Sequence, residues 1–152
     1  MLIFKTSDKD AKSFLYRLVK TSFYWMLFYT FFLILCLFLK ISFITSFLIL
    51  SPMLLLYIPI SFYRSIYFIN EIKIENKLTH IYYFHFNKQK TICKPIKKTK
   101  FKQLRGSSTY HKHYKLICLL GDKKLKQYPI LDWTEENIER VVNQYNQLNS
   151  SI

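Results

Sequence analysis

Glycine is scarce in this chain of 152 residues, which contains only Gly106 and Gly121. Loops that bind nucleotide phosphates need several glycines at fixed offsets, because their backbone must approach the phosphate closely. P-loop and Rossmann-type nucleotide sites are therefore excluded. Cysteine is sparse as well: Cys36, Cys93 and Cys118 stand far apart, and none belongs to a CxxC pair. We expect reduced thiols and not a disulfide framework.

Acidic residues are few, nine against 23 lysines and arginines. Four of the nine cluster where a last helix is predicted to begin, and capping and the helix dipole account for them there: Asp132, Glu135, Glu136 and Glu139. His111 and His113 have the spacing of a metal pair, but no nearby cysteine or carboxylate supplies the further ligands that zinc requires. No Ser/His/Asp or Cys/His spacing stands out. We expect a non-enzymatic protein with no metal and no cofactor.

Two long apolar runs, residues 22–39 and 41–62, contain no acid and no base, and only Lys40 divides them. Each reaches the roughly 18–20 apolar residues that cross the hydrocarbon core of a bilayer. Neither has the polar stripe that a helix of a soluble bundle keeps toward water. The sequence therefore predicts a two-helix transmembrane hairpin over residues 21–63.

Basic residues flank this hairpin on both sides, within residues 1–20 and from Arg64 onward, whereas the tip offers only Lys40. The positive-inside rule predicts that both termini are cytoplasmic. Aromatic side chains at the start of the first span and the end of the second are the predicted membrane-interface anchors: Phe23, Tyr24, Trp25, Phe28, Tyr29 and Tyr63. Because the spans hold no ionisable group that would mark an ion pathway, a self-sufficient transporter is disfavoured.

Residues 64–152 differ in character from the hairpin. "INEIKIEN" alternates apolar and polar residues, and "LTHIYYFHF" and "YKLICLL" are rich in aromatic and β-branched residues, so short antiparallel strands are expected, about six in all. In "DWTEENIERVVNQYNQL" the apolar residues recur at spacings of three and four, which predicts an amphipathic helix with Asp132 as its N-cap. The predicted fold class is α+β.

This order of elements resembles bacterial membrane proteins that carry a pleckstrin-homology-like domain. The segments that carry the resemblance are "EIKIENKLTHIYYFHF", "YKLICLLGDKKLKQYPI" and "DWTEENIERVVNQYNQL", which follow the apolar hairpin. The resemblance implies a partly open barrel or sandwich closed by a helix, usually of seven strands, and no catalytic residues. It also implies the bacterial inner (cytoplasmic) membrane as the location. The expected division is a basic cytoplasmic segment over 1–20, the hairpin over 21–63 and the β domain over 64–152.

The stretch "KPIKKTKFKQLRG" contains a predicted site for an anionic surface, made of Lys94, Lys97, Lys98, Lys100, Lys102 and Arg105. In an extended strand Lys98, Lys100 and Lys102 would project to one face. Anionic lipid headgroups are the favoured counter-charge, because a membrane-tethered domain already lies beside them. An edge strand protected by lysines, an acidic protein partner, and nucleic acid are the alternatives, and nucleic acid is the weakest of them.

The sequence thus predicts an inner-membrane protein whose cytoplasmic domain binds an anionic membrane surface or docks a partner protein. The alternative is an accessory or assembly subunit of a larger membrane complex, including an immunity-type role, in which a second protein or another copy of the chain packs against the helices. A third and weaker hypothesis is that the protein is a membrane-tethered nucleic-acid binder.

Overall fold

The computed structural model describes residues 1–106 and 113–150. Within these residues the chain forms three α-helices and seven strands, with two short 3-10 turns at Lys9–Lys12 and Ile96–Lys98. The elements are β1 Leu2–Lys5, α1 Phe14–Phe38, α2 Phe43–Ile66, β2 Tyr67–Glu75, β3 Leu78–His85, β4 Lys88–Pro95, β5 Thr99–Gly106, β6 His113–Leu120, β7 Lys123–Gln127 and α3 Glu135–Ser150.

The strands form two antiparallel sheets, one in the order β1-β2-β3-β4 and the other in the order β5-β6-β7. The predicted α+β class, the antiparallel strands and the C-terminal helix are therefore confirmed. Among the described residues, six strands follow residue 64, in agreement with the predicted number of about six. The seventh strand comes from the other side of the helices.

That seventh strand, β1, was not predicted. It pairs with β2, with Phe4 opposite Ile72, and buries Phe4 against the indole of Trp133 at a ring-centroid distance of 3.9 Å. Four residues at the chain start are too short to display an alternating pattern. As a result, the helical hairpin is inserted between two neighbouring strands of one sheet, and residues 1–20 contribute to the same core as the β domain.

The core lies between the two sheets and α3. The apolar stripe of α3 buries Ile138, Val141 and Tyr145, and the Tyr145 hydroxyl donates a hydrogen bond of 2.9 Å to the carbonyl of Ile96. α3 packs on β1 of the first sheet and on β5 and β6 of the second sheet. The C-terminal helix therefore closes the space between the sheets on one side.

The prediction that Asp132 is the N-cap of α3 is wrong. The helix begins at Glu135, and the hydroxyl of Thr134 accepts the hydrogen bond from the Asn137 N–H at 3.2 Å. Asp132 lies before this turn, and its carboxylate accepts instead from the backbone N–H of Ser7 at 2.6 Å. A sequence pattern for a helix cap identifies a side chain with acceptor capacity but does not fix which donors reach it.

α1 and α2 run back alongside each other, joined by residues 39–42. The Tyr57 hydroxyl donates to the carbonyl of Thr21 at 2.9 Å, and the rings of Trp25 and Tyr57 lie 4.5 Å apart. No single straight helix of the described residues has the length and apolar character to cross a membrane. Two bent pairs of segments do by length and composition: Phe14–Phe23 with Trp25–Phe38, bent by 47°, and Ile44–Pro52 with Leu55–Ile66, bent by 46°. Pro52 lies at the second bend, where its missing N–H weakens the helix.

Candidate functional site

The predicted basic site is spread over three elements. Lys94 lies near the end of β4, Lys97 and Lys98 occupy the 3-10 turn, and Lys100 and Lys102 lie on β5. Lys100 and Lys102 are exposed and alternate with buried Thr99 and Phe101, so these two lysines share an outer face as predicted. The prediction is wrong for Lys98, which lies in the 3-10 turn before the strand begins. The side chain of Arg105 lies outside the part of the chain that the structure describes, as does the His111 of the histidine pair.

Lys94, at the start of this basic stretch, lies far along the first sheet from the helices. Lys94 pairs with Thr79 and Thr79 pairs with Ile74, whereas α2 leads directly into Tyr67 at the other end of β2. The seven residue-to-residue steps from Tyr67 to Ile74 span roughly 20 Å of strand. Sequence proximity to the apolar runs does not reveal this separation, because only the register of the strands fixes it.

The predicted interface anchors lie on the helices near the β domain. Phe23, Trp25 and Phe28 are exposed on α1, Tyr29 is half-buried, and Tyr63 is exposed near the end of α2. The side chain of Tyr24 is outside the described part of the structure. Trp25 packs on Tyr57 and on Phe28, and Tyr63 packs on Tyr128, while close to half of each of these three anchor side chains remains exposed.

Arg17 joins the hairpin to the β domain, although its side chain has no exposed surface. Its Nε donates to the carbonyl of Ser65 at 3.1 Å, and its Nη2 donates to the carbonyl of Phe86 at 2.7 Å. Nη1 donates to the carbonyls of Ala11 at 2.6 Å and Lys12 at 3.0 Å. One guanidinium thus connects the start of α1, the end of α2 and the turn between β3 and β4. Its planar array of donors fits this arrangement, whereas a lysine ammonium would not.

The same turn receives both ends of the hairpin. The side-chain Oδ1 of Asn87 accepts from the N–H of Phe14 at 2.7 Å, and the N–H of Phe86 donates to the carbonyl of Ile66 at 2.9 Å. The rings of Phe14 and Phe86 lie 5.2 Å apart, and Phe62 lies edge-on to Phe14 at 5.3 Å. The base of the hairpin is therefore held in one place on the β domain by hydrogen bonds and aromatic packing.

A groove of about 550 Å³ opens beside the end of α2, between the first sheet and the edge strand β7. Four tyrosines line it, from α2, β2, β3 and the residue after β7: Tyr63, Tyr67, Tyr83 and Tyr128. Three lysines of β7 line the opposite side: Lys123, Lys124 and Lys126. Ile92 and Leu125 form the apolar remainder. We call this the tyrosine–lysine groove.

The electrostatics of the tyrosine–lysine groove favour an anion. Its described lining contains three ammonium groups and no carboxylate. Burial raises the pKa of Tyr83, and burial together with Tyr63 raises the pKa of Tyr128. Both phenols therefore stay protonated at neutral pH and keep an O–H that can donate. Cationic and hydroxyl donors beside aromatic rings can bind an anionic group that is attached to an apolar body.

A second cleft lies on the other side of Tyr128. It contains Lys20 of α1 and Arg64 of α2, the charged residues that border the two apolar runs. The Arg64 guanidinium also stacks over the ring of Tyr128 at 5.7 Å. The cleft has one acid, Asp8, whose carboxylate already accepts from the Tyr16 hydroxyl at 3.1 Å. Basic groups thus surround the base of the hairpin on two sides.

The described residues meet the requirements of neither a metal site nor a reactive cysteine. No group of three or more histidine, cysteine or acidic side chains there is close enough to hold a metal ion. Cys118 is fully buried, and burial raises the pKa of its thiol far above neutrality, so it is unreactive. Exposed Cys93 has its sulfur 3.9 Å from Nε2 of His80.

Sequence reasoning missed the tyrosine–lysine groove. Its residues come from four strands and the end of a helix, so no linear sequence motif indicates the groove. The one sequence feature that could indicate the groove is the run "KKLK" at residues 123–126, and its pattern is typical of a turn followed by a strand. No family model, no curated protein and no solved structure matches this chain.

Proposed function

We propose that this chain is a non-enzymatic inner-membrane protein. In this proposal α1 and α2 cross the bilayer as a bent hairpin, and a cytoplasmic, pleckstrin-homology-like module binds the anionic headgroups around the base of that hairpin. The observation that carries the proposal is the basic surface at the base, where the tyrosine–lysine groove and the Lys20–Arg64 cleft flank the ends of two apolar helices.

The exposure of the helices supports the membrane location. Large apolar side chains all around α1 and α2 lack protein cover; Phe38 is 82% exposed, Leu55 72% and Leu56 71%. Monomeric soluble proteins rarely leave apolar patches of this extent in water. Hydrocarbon around the helices would remove that cost, and the bends at Tyr24 and Pro52 are tolerable there because the helices remain hydrogen-bonded over most of their length.

The module's architecture supports the pleckstrin-homology-like assignment. The seven described strands, arranged in two sheets and closed on one side by a C-terminal helix, agree with the seven-stranded barrel or sandwich that the resemblance implies. The count of seven is reached because β1 joins the sheet from before the hairpin. The side between the sheets that α3 leaves open is where the tyrosine–lysine groove lies.

The position of charge decides which surface faces the lipid. Lys20 precedes the first apolar run and Arg64 follows the second, so a bilayer around the helices would put its headgroups at their level. Attraction to an anionic leaflet falls off within about 8 Å at physiological ionic strength. Lys94, roughly 20 Å of strand from Tyr67, is a weaker candidate than the base of the hairpin unless the sheet lies flat on the membrane, whereas Lys100 and Lys102 lie only two strands from Lys124 and Lys126 of the groove.

Fluorescence quenching tests this orientation in the full chain. A fluorophore is attached to Lys126→Cys or to Lys94→Cys, both in a Cys93→Ser background, and the protein is placed in nanodiscs with spin-labelled headgroups. We expect quenching at position 126 that increases with the fraction of anionic lipid, and little quenching at position 94. Quenching at 94 alone would show that the far end contacts the membrane, and quenching at neither would contradict headgroup contact altogether.

A further inference from the structure

We infer that the tyrosine–lysine groove is a discrete binding site for one phosphate-bearing lipid headgroup. This inference rests on the proposed function and deepens it, since general attraction of a basic surface to a membrane requires no cavity. The shared chemistry of the ligand is an anionic phosphodiester carried on a small polyol such as glycerol.

The size of the groove fits a headgroup. Its volume of about 550 Å³ lies within the usual range for small-molecule sites, roughly 300–1,000 Å³. A groove that served only to attract a membrane would not need depth, and buried Tyr83 and Ile92 line its interior at 8% and 7% exposure. The volume therefore accommodates a phosphate and its polyol together.

The two walls of the groove offer different chemical groups to a ligand. The β7 wall supplies Lys123, Lys124 and Lys126, whose ammonium groups bind phosphate oxygens as charged donors. The opposite wall supplies phenol hydroxyls, which can bind ester oxygens or the hydroxyls of a polyol, and ring faces that cover its carbon atoms. A purely inorganic anion would leave the tyrosine wall unused.

The surroundings point to a lipid and not to a soluble ligand. Tyr63, at the edge of the groove, is 50% exposed and belongs to the last turns of α2, and Phe62 beside it is 41% exposed. A headgroup in the groove can therefore leave its acyl chains along the exposed apolar face of α2. A nucleic acid or an acidic peptide has no apolar tail to cover that face.

Native mass spectrometry of the full chain in detergent tests the site without a bilayer. The probes are phosphatidylglycerol, phosphatidylcholine and soluble glycerol phosphate. We expect one retained equivalent of phosphatidylglycerol, at least about tenfold weaker retention of phosphatidylcholine, whose headgroup carries no net charge, and weak binding of glycerol phosphate, which lacks the acyl chains. Glycerol phosphate binding as tight as the lipid would overturn the lipid assignment.

Two variants with the same loss of charge separate a site from a general charge effect. Lys123→Gln/Lys124→Gln/Lys126→Gln removes the lysines of the groove, and Lys5→Gln/Lys9→Gln/Lys12→Gln removes three exposed lysines of the N-terminal segment, which line neither cleft. We expect the first variant to lose at least about tenfold in affinity for phosphatidylglycerol and the second to be nearly unchanged. Equal losses in both would overturn the site. Because this measurement needs no bilayer, a negative result here is distinguishable from a negative result in the nanodisc experiment, which tests the orientation of the module.

Discussion

At the scale of single residues, Arg17 is the most consequential side chain in the structure. It has no exposed surface, and its acceptors are backbone carbonyls from three different parts of the fold. No acidic side chain is among its hydrogen-bond partners in the described residues. The charge is therefore stabilised by carbonyl dipoles, whose geometry depends on the hairpin and the module staying together.

Replacing Arg17 by methionine should separate the hairpin from the module. Four carbonyls lose a charged donor, and we expect the free energy of unfolding to fall by about 3 kcal/mol. Arg17→Lys should be nearly as damaging, because one ammonium cannot reach all four acceptors. The measurement is urea unfolding in detergent micelles, followed by the fluorescence of buried Trp133 in a Trp25→Phe background. Lys9→Met, at an exposed position, is the control, and equal stabilities of the two methionine variants would contradict this role for Arg17.

Asp132 is a second residue whose partners lie far away in sequence. Partial burial alone would raise its pKa, but hydrogen bonds from the Thr6 hydroxyl at 2.6 Å and from Ser7 outweigh burial and leave the pKa below its usual value. The ionised form is thus favoured by folding. Its contribution to stability is complete above the usual carboxyl pKa of about 4 and is lost as the pH falls through the lowered value.

Asp132→Asn should therefore show a pH-dependent effect. At pH 7 we expect the variant to be less stable by about 1–2 kcal/mol, because the amide oxygen accepts less strongly from Thr6 and Ser7. The difference should shrink as the pH is lowered below about 4, where the wild-type carboxylate becomes protonated. Urea unfolding at a series of pH values measures it. Asp122→Asn, in an exposed turn, is the matched control, and a difference that is constant with pH would count against this assignment.

At the scale of elements, β1 determines how the hairpin and the module are connected. It is only four residues long, yet it supplies one edge of the first sheet and packs Phe4 on Trp133. Its two middle residues, Ile3 and Phe4, are buried at 5% and 4% exposure, whereas Leu2 is 51% exposed, and the register with β2 shifts between Leu2 and Phe4. The stability contributed by β1 should therefore come from its buried residues.

A pair of alanine substitutions within β1 tests this directly. Phe4→Ala removes a buried ring and should lower the free energy of unfolding by about 3–4 kcal/mol. Leu2→Ala, on the exposed face, should change it by less than about 0.5 kcal/mol. The same urea experiment measures both. A small loss for Phe4→Ala would mean that β1 is not an integral strand of the sheet.

The sequence predicts elements well where the pattern is long and poorly where partners are distant. β2, β3 and β6 are predictable from alternation and composition, and α3 from its apolar stripe over sixteen residues. β1 is too short to show a period, and its partner β2 lies beyond the whole hairpin. The groove is missed for the same physical reason: side chains such as Tyr63, Tyr83 and Lys126 meet only through strand order and register.

At the scale of the whole molecule, the hairpin is an insertion between neighbouring strands of a sheet. Its entry and exit both bond to the turn at Phe86 and Asn87, so the two ends are close together on the module. Loops inserted between close ends cost little entropy to close. The β module should therefore fold without the helices, provided that β1 is kept.

Two truncated chains test this whole-molecule prediction. In the first, residues 13–66 are replaced by a short glycine-serine linker that joins Lys12 to Tyr67; in the second, the chain simply begins at Tyr67. We expect the first to be a water-soluble, cooperatively folded domain, because all seven strands and the Phe4–Trp133 contact are retained. The second lacks β1, so it exposes the edge of β2 and the indole of Trp133, and it should aggregate or unfold at much lower urea concentrations. Size-exclusion chromatography and the dispersion of amide NMR signals distinguish the outcomes. If the two chains fold equally well, β1 is dispensable; if neither folds, the module depends on the hairpin for more than the closeness of its ends.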